Sequence, residues 1–134
     1  RYDFTSIEPF TLICIEHHTR KMTQVLWHGE HLEVMLLDST KPKIWSSYSL
    51  YDTPTIRMRE EWFAKLLLKP SLVSADMLEF HRFGGTGNPE TDLVMVRGKK
   101  VMTVSITQII KTSITEMWYM DVRSGQKSRV SLNE

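Results

Sequence analysis

Four of the five histidines, His17, His18, His28 and His31, fall within fifteen residues and are the first candidates for chemistry. Gly29-Glu30 has the glycine-first order of a type II′ hairpin turn, which would place His28 opposite His31. Two imidazoles so placed can share a zinc or copper ion. A zinc site normally has three or four protein ligands, and His17 lies about 20 Å away along the shared strand. The sequence therefore favours a solvated hairpin tip, and we predict no metal and no cofactor.

Cys14 and His81 are the candidates for a nucleophile and for an acid or base. Strand alternation would place Cys14 on an apolar face, where a thiol is buried and unreactive. Alternation with Leu78 and Phe80 would place His81 on the outer side of a strand, at the rim of a pocket near Trp62 and Trp118. The spacing does not require catalysis, so the prediction leans towards a non-catalytic protein. A small-molecule pocket or small enzyme remains an alternative.

A glycine-rich loop, Gly84-Gly85-Thr86-Gly87, offers backbone N–H groups that can cradle a phosphate. Phosphate-binding loops usually open a helix and add its dipole, whereas Pro89 and a predicted strand follow here. The sequence therefore favours a flexible hairpin loop. A mobile edge of a binding site is the alternative, because loops often carry function.

Basic residues are concentrated in the last third of the chain. Between residues 97 and 129, seven Lys or Arg residues face only two acidic residues. Predicted hairpins bring two groups of them to one end of the sheet, and an anionic partner such as nucleic acid or a membrane surface would suit the charge. The predicted anion-binding residues are Arg97, Lys99, Lys100, Arg123, Lys127 and Arg129. A solvated hairpin that resists edge aggregation explains the same pattern.

The elements that position these residues begin with three strands, at Phe10–His17, Met22–His28 and His31–Asp38. The Gly29-Glu30 turn pairs Trp27 with Leu32, and a turn at Thr19-Arg20 would pair Leu12 with Trp27. One face then carries Leu12, Cys14, Val25, Trp27, Leu32, Val34 and Leu36. Residues 43–50 are predicted as a fourth strand. Residues 54–69 are predicted as the one long helix, with Thr53 as its N-cap and Pro54 in the first turn.

Period-two alternation continues after the helix. It predicts strands over residues 77–83, 93–97, 100–110 and 114–122. A turn at Gly98-Lys99 would pair Met95 with Met102. A loop over residues 111–113 would pair Ile106 with Trp118. Both sheet faces then carry apolar side chains, which favours a protein partner on the second face. The predicted partner surface is Ile13, Ile15, Leu26, Met35, Met117 and Tyr119.

The whole chain has the size and composition of one globular domain, with 134 residues, 41% hydrophobic residues and a net charge of +1. We expect a single domain over residues 1–134, with an entry arm at 1–9 and a polar basic tail at 123–134. No apolar run approaches the roughly 20 residues that span a bilayer, so we expect no transmembrane segment. A single cysteine is typical of a reducing, intracellular compartment.

The predicted fold is α+β, a mostly antiparallel sheet of about seven or eight strands with meander connections and one amphipathic helix packed on it. A sandwich and a sheet curled into a partial barrel both fit this order. The predicted function is a protein-interaction or assembly domain that uses an apolar sheet face, with a protein partner or a second copy as its ligand. The alternatives are the anion-binding module and the small-molecule pocket described above.

Overall fold

The computed structural model of the chain describes residues 4, 6–47, 49–98 and 101–132. Over these residues the protein is α+β, with eight antiparallel strands in three sheets and two helices, which confirms the predicted class. The chain divides into two compact units, residues 1–57 and 58–134. Within the described ranges, no helix combines the length and the hydropathy needed to cross a membrane.

The first unit contains a three-stranded meander of β1 (Phe10–Ile15), β2 (Met22–Trp27) and β3 (Leu32–Leu37). Trp27 lies opposite Leu32 and Val25 opposite Val34, which confirms the predicted β2–β3 register. The turn fixes this register, because Gly29 adopts φ 97° and the backbone N–H of His28 donates to the carbonyl of His31 over 3.1 Å. A side chain is rarely tolerated at such a φ, so glycine suits this position.

The β1–β2 register differs by two residues from the prediction, since Leu12 lies opposite Val25 and Phe10 opposite Trp27. The connection is longer than the expected two-residue turn. It is closed by a bond from the N–H of Glu16 to the carbonyl of Lys21, with Arg20 at φ 57°. A shift of two residues leaves every side chain on its predicted face, because the strand repeat is also two.

Residues 43–47 and 49–50 are not a strand, contrary to the prediction. In this segment the indole N–H of Trp45 donates to the side-chain oxygen of Gln24 over 2.9 Å. On the other face of the sheet Trp27 is only 6% exposed. Its indole N–H donates to the carbonyl of Ile7 over 2.9 Å, and the Phe4 ring lies 5.4 Å away. Ile7 and Phe4 therefore help to bury the Trp27 end of this face.

Helix α1 (Thr53–Leu67) begins at Thr53, one residue earlier than predicted. Asp52, not Thr53, caps it, because its carboxylate accepts the N–H of Thr55 over 3.0 Å. In the second unit Phe63 of this helix is 7% exposed and contacts the ring of Phe80 at 5.9 Å.

Residues 77–83 belong to a second helix, α2 (Ser74–Phe83), so the predicted strand there is wrong. The Asp76 carboxylate accepts the N–H of Val73 over 2.9 Å and pairs with the Lys69 ammonium at 2.5 Å. The bond from Lys69, followed by that from Val73, lowers the pKa of Asp76. These contacts satisfy the start of α2, and the Phe63 contact holds α2 on α1, so local alternation does not decide the structure here.

The remaining strands of the second unit are shorter or longer than predicted. A small hairpin of β4 (Val96–Arg97) and β5 (Val101–Met102) pairs Val96, not Met95, with Met102. The third sheet has the order β6 (Ser105–Lys111), β7 (Thr115–Asp121) and β8 (Lys127–Leu132). Strand β8 forms where a polar tail was predicted.

The β6–β7 register pairs Ile106 with Met120, two residues from the predicted pairing with Trp118, and the faces are again preserved. Gln108 of β6 donates its amide N–H to the carbonyl of Ser74 over 2.6 Å, so helix α2 lies on the inner face of this sheet.

Candidate functional site

The first sheet carries an uncharged face that remains largely open to solvent. We call it the β1–β3 face. Leu12 is 49% exposed, Val34 65% and Leu36 63%. Cys14 is also exposed, which corrects the expected burial of its thiol. The register places nine side chains on this face: Phe10, Leu12, Cys14, Thr23, Val25, Trp27, Leu32, Val34 and Leu36. None of the nine is charged, and Phe4 and Ile7 contact this face at Trp27.

The opposite face of the same sheet holds four of the predicted partner residues. Ile15 is 68% exposed and Met35 50%, whereas Ile13 and Leu26 are half-buried. The remaining two predicted partner residues, Met117 and Tyr119, lie on the outer face of the third sheet and are 39% and 38% exposed. The use of these six residues as a partner surface remains a prediction.

Met117 is the centre of an exposed row across the third sheet. The register pairs it with Ile109 on one side and Val130 on the other, and these are 66% and 48% exposed. Two separate sheets therefore present apolar side chains to solvent, which is the pattern expected of interaction surfaces.

The hairpin tip between β2 and β3 brings together three potential metal ligands. His28 and His31 stack at 4.2 Å with 19° between the ring planes. Nε2 of His28 lies 3.2 Å, and Nε2 of His31 3.3 Å, from the same Glu33 carboxylate oxygen. The pairing of His28 with His31 was predicted from the sequence, whereas Glu33 was not. The signal was available, because Glu33 follows His31 by two residues and so shares its face.

The glycine loop is closed on a carboxylate of the chain itself. The N–H groups of Thr86 and Gly87 donate to the Asp92 carboxylate over 2.8 and 3.1 Å. At the end of α2, the N–H of Gly84 donates to the carbonyl oxygen of Phe80 over 2.7 Å. The donors of Thr86 and Gly87 that could cradle a phosphate therefore already bind an anionic group. A role for Gly84, Gly85, Thr86 and Gly87 at the edge of a site stays a prediction.

Buried Arg59, which sequence analysis also missed, fastens this loop to α1. It is 5% exposed, and its Nε and Nη2 donate to the carbonyl of Thr91 over 3.0 Å each. Nη2 also donates to the carbonyl of Asp92 over 2.7 Å. A buried guanidinium normally has such bonds, and here they hold the far side of the loop.

The structure describes four of the six predicted anion-binding residues. Lys99 and Lys100 lie outside the described residues. Arg97 donates to the carbonyl of Glu90 over 3.2 Å. Arg129 pairs with Glu116 and lies over the Trp118 ring at 4.7 Å. The charge of Arg129 is thus already compensated within the sheet.

The turn after β7 carries Arg123 next to a carboxylate. The backbone N–H groups of Arg123 and Ser124 donate to Asp121, and the bonds from Ser124 lower the pKa of that carboxyl most. Lys127 begins β8 opposite Met120. Since Ser105 lies opposite Asp121, this turn and the start of β6 share one end of the sheet. Anion binding there remains a prediction.

His81 is an exposed helical residue, not a residue at the rim of a strand pocket. Its Nδ1 lies 2.8 Å from the carbonyl of Met77 in the preceding turn of α2. Helices α1 and α2 flank a shallow, open groove of about 300 Å³. The groove is lined by Leu66, Lys69, Asp76, Glu79, Phe80, Phe83 and Gly84, and His81, Trp62 and Trp118 are not among them.

Comparison with protein-family models, with curated proteins and with solved structures finds no match to this chain.

Proposed function

We propose that this chain is a protein-interaction domain in which the β1–β3 face packs against the same face of a second copy. The observation that carries the proposal is an uncharged sheet face on which Leu12, Val34 and Leu36 are 49%, 65% and 63% exposed. Burial of apolar surface is favourable by roughly 25 cal/mol for each Å² removed from water, so burying this face against a partner stabilises the complex.

The absence of charge on the β1–β3 face favours a second copy of the chain as the partner. A charged partner surface would lose solvation against the exposed uncharged side chains of this face without finding a counter-ion. A second copy presents a surface of the same dimensions and the same polarity, and it can pack with two-fold symmetry.

The size of the face sets the expected strength of the association. Three strands of six residues cover roughly 14 Å by 20 Å. This footprint is smaller than the roughly 800 Å² per partner of a standard interface. We therefore expect a weak dimer with a Kd of about 1 µM or higher.

Sedimentation velocity between about 1 and 300 µM tests the proposal. The wild-type chain is expected to shift from monomer to dimer over this range, and Val34→Lys is expected to remain a monomer. Two matched variants carry the same change at other exposed positions. Met35→Lys alters the opposite face of the same strand, and Ile109→Lys alters the third sheet, so both should still dimerise.

Cys14 provides an independent readout, since it is the only cysteine and lies on the β1–β3 face. Alkylation of its thiol should slow at concentrations where the dimer forms, and Val34→Lys should abolish that protection. A strictly monomeric wild-type chain would refute the proposal. So would a dimer that Ile109→Lys or Met35→Lys disrupts while Val34→Lys does not.

A further inference from the structure

We infer that His28, His31 and Glu33 form a binding site for a divalent transition-metal ion of the zinc class. The inference rests on the convergence of three ligand side chains at the tip of one hairpin. Their ligand atoms all lie within 4.8 Å of one another. Two imidazoles and one carboxylate form a donor set that holds catalytic zinc and non-haem iron in other proteins.

The separations of the ligand atoms fit a metal ion. Two atoms bonded to zinc at about 2.0–2.1 Å, with a tetrahedral angle between them, lie about 3.3–3.4 Å apart. Each imidazole Nε2 lies 3.2–3.3 Å from the Glu33 oxygen, which is close to the separation of two zinc-bound atoms. Small rotations of the side chains would therefore be enough to seat an ion.

The backbone holds these ligands in place before any ion binds. His28 and His31 flank a two-residue turn and are joined by the bond from His28 N–H to His31 carbonyl over 3.1 Å. Glu33 follows on the same face of β3, diagonal to His28. Only two turn residues separate the histidines, so little chain entropy is lost on closing the site.

The environment leaves one side of the site open. The His28 side chain is 13% exposed, whereas those of His31 and Glu33 are 62% and 52% exposed. Three protein ligands on a partly shielded tip leave room for water as a fourth ligand, as in catalytic zinc sites. A single carboxylate is a poor site for Mg²⁺ or Ca²⁺, which prefer several oxygen ligands.

The chain contains a matched control for non-specific metal binding by histidine. His17 and His18 form a second pair at the β1–β2 connection, with ring centroids 4.7 Å apart. No carboxylate completes that pair into a three-ligand group in the described part of the chain. His18→Ala therefore removes a histidine without changing the proposed site.

Titration calorimetry of the chelator-treated full chain with Zn²⁺, together with visible absorption of the Co²⁺ form, tests the inference. We expect one ion per chain, and no comparable heat with Mg²⁺. Loss of a supporting outer-shell group already costs roughly 10- to 100-fold in metal affinity. His31→Ala and Glu33→Gln should therefore weaken binding at least tenfold, and His18→Ala should not.

Both altered residues are exposed, so the variants should retain the metal-free circular dichroism and Tm of the wild type. Zn²⁺ should raise the Tm of the wild type and of His18→Ala, but not that of His31→Ala or Glu33→Gln. The alternative is that Glu33 merely accepts hydrogen bonds from the imidazoles. Absence of binding up to about 1 mM Zn²⁺, or unchanged affinity in Glu33→Gln, would establish that alternative and overturn the inference.

This site can be tested separately from the proposed dimer, because it lies on the opposite face of the sheet from Val34. Val34→Lys should bind metal like the wild type.

Discussion

Replacing Arg59 by methionine should cost far more stability than the same change at Arg57, two residues earlier on α1. Arg59 is 5% exposed and donates three N–H···O bonds to two carbonyl groups, those of Thr91 and Asp92. Arg57 is exposed. The two variants remove the same charge from the same helix, so their difference isolates the buried contacts.

The magnitude follows from the two carbonyl groups that lose their donors. An acceptor left without its partner costs about 1–3 kcal/mol, so two cost about 2–6 kcal/mol. Methionine retains the apolar stem and removes a buried charge, which offsets part of this cost. We expect a net loss of about 2–4 kcal/mol for Arg59→Met, and less than about 0.5 kcal/mol for Arg57→Met. The total free energy of unfolding of a domain is typically only about 5–15 kcal/mol.

Urea unfolding at neutral pH gives both values directly, provided that the slope m is unchanged. Hydrogen exchange supplies a local readout. The N–H groups of Thr86 and Gly87 should exchange faster in Arg59→Met, because the loop that Arg59 fastens carries their acceptor, Asp92. Equal losses in the two variants, or a loss below about 0.5 kcal/mol at Arg59, would show that water replaces the guanidinium and would refute the reasoning.

Three further changes have defined outcomes. The pKa of Asp76 is lower in the folded chain than in the unfolded chain. As the pH falls, the Asp76 carboxylate is therefore protonated first in the unfolded chain. The stabilisation is therefore present above about pH 4 and is lost as the pH falls through the lower folded pKa, and Asp76→Asn should flatten this part of a stability–pH curve. Gly85→Ala should cost about 1–3 kcal/mol in urea unfolding, since its Cβ would meet the Asp92 carboxylate, whereas Thr86→Ala should cost little. Arg129→Ala should lower the free energy of unfolding by about 0.5–1.5 kcal/mol, because it removes the Glu116 pair and the contact with the Trp118 ring. A double-mutant cycle with Glu116→Gln should show a coupling energy, and additive effects would contradict the ion pair.

Turn chemistry explains which parts of the fold could be predicted. Gly29 needs a positive φ in a two-residue turn, so the β2–β3 register and the meeting of His28 with His31 follow from local sequence. The β1–β2 and β6–β7 connections carry no such constraint, and both predicted registers were off by two residues. The face assignments survived because an even shift preserves alternation.

Long-range contacts explain most of the errors. The segment 77–83 alternates well enough to suggest a strand, yet the Lys69–Asp76 pair and the Phe63–Phe80 contact stabilise it as a helix. Strand β8 has few apolar residues and exists through its pairing with β7. The i, i+3 spacing of Met77, Phe80 and Phe83 is a local signal for the helix, and Ser124-Gly125 is a local signal for the turn before β8.

The amino-acid sequence by itself determined the class of fold, the two faces of each long strand and the hairpin that joins the histidines, because alternation and tight turns act over a few neighbouring residues. Only the tertiary structure decided which apolar face stays uncovered and that Asp92 occupies the donors of Thr86 and Gly87 in the glycine loop. These outcomes depend on the distances between side chains from different elements, and no local pattern encodes such distances.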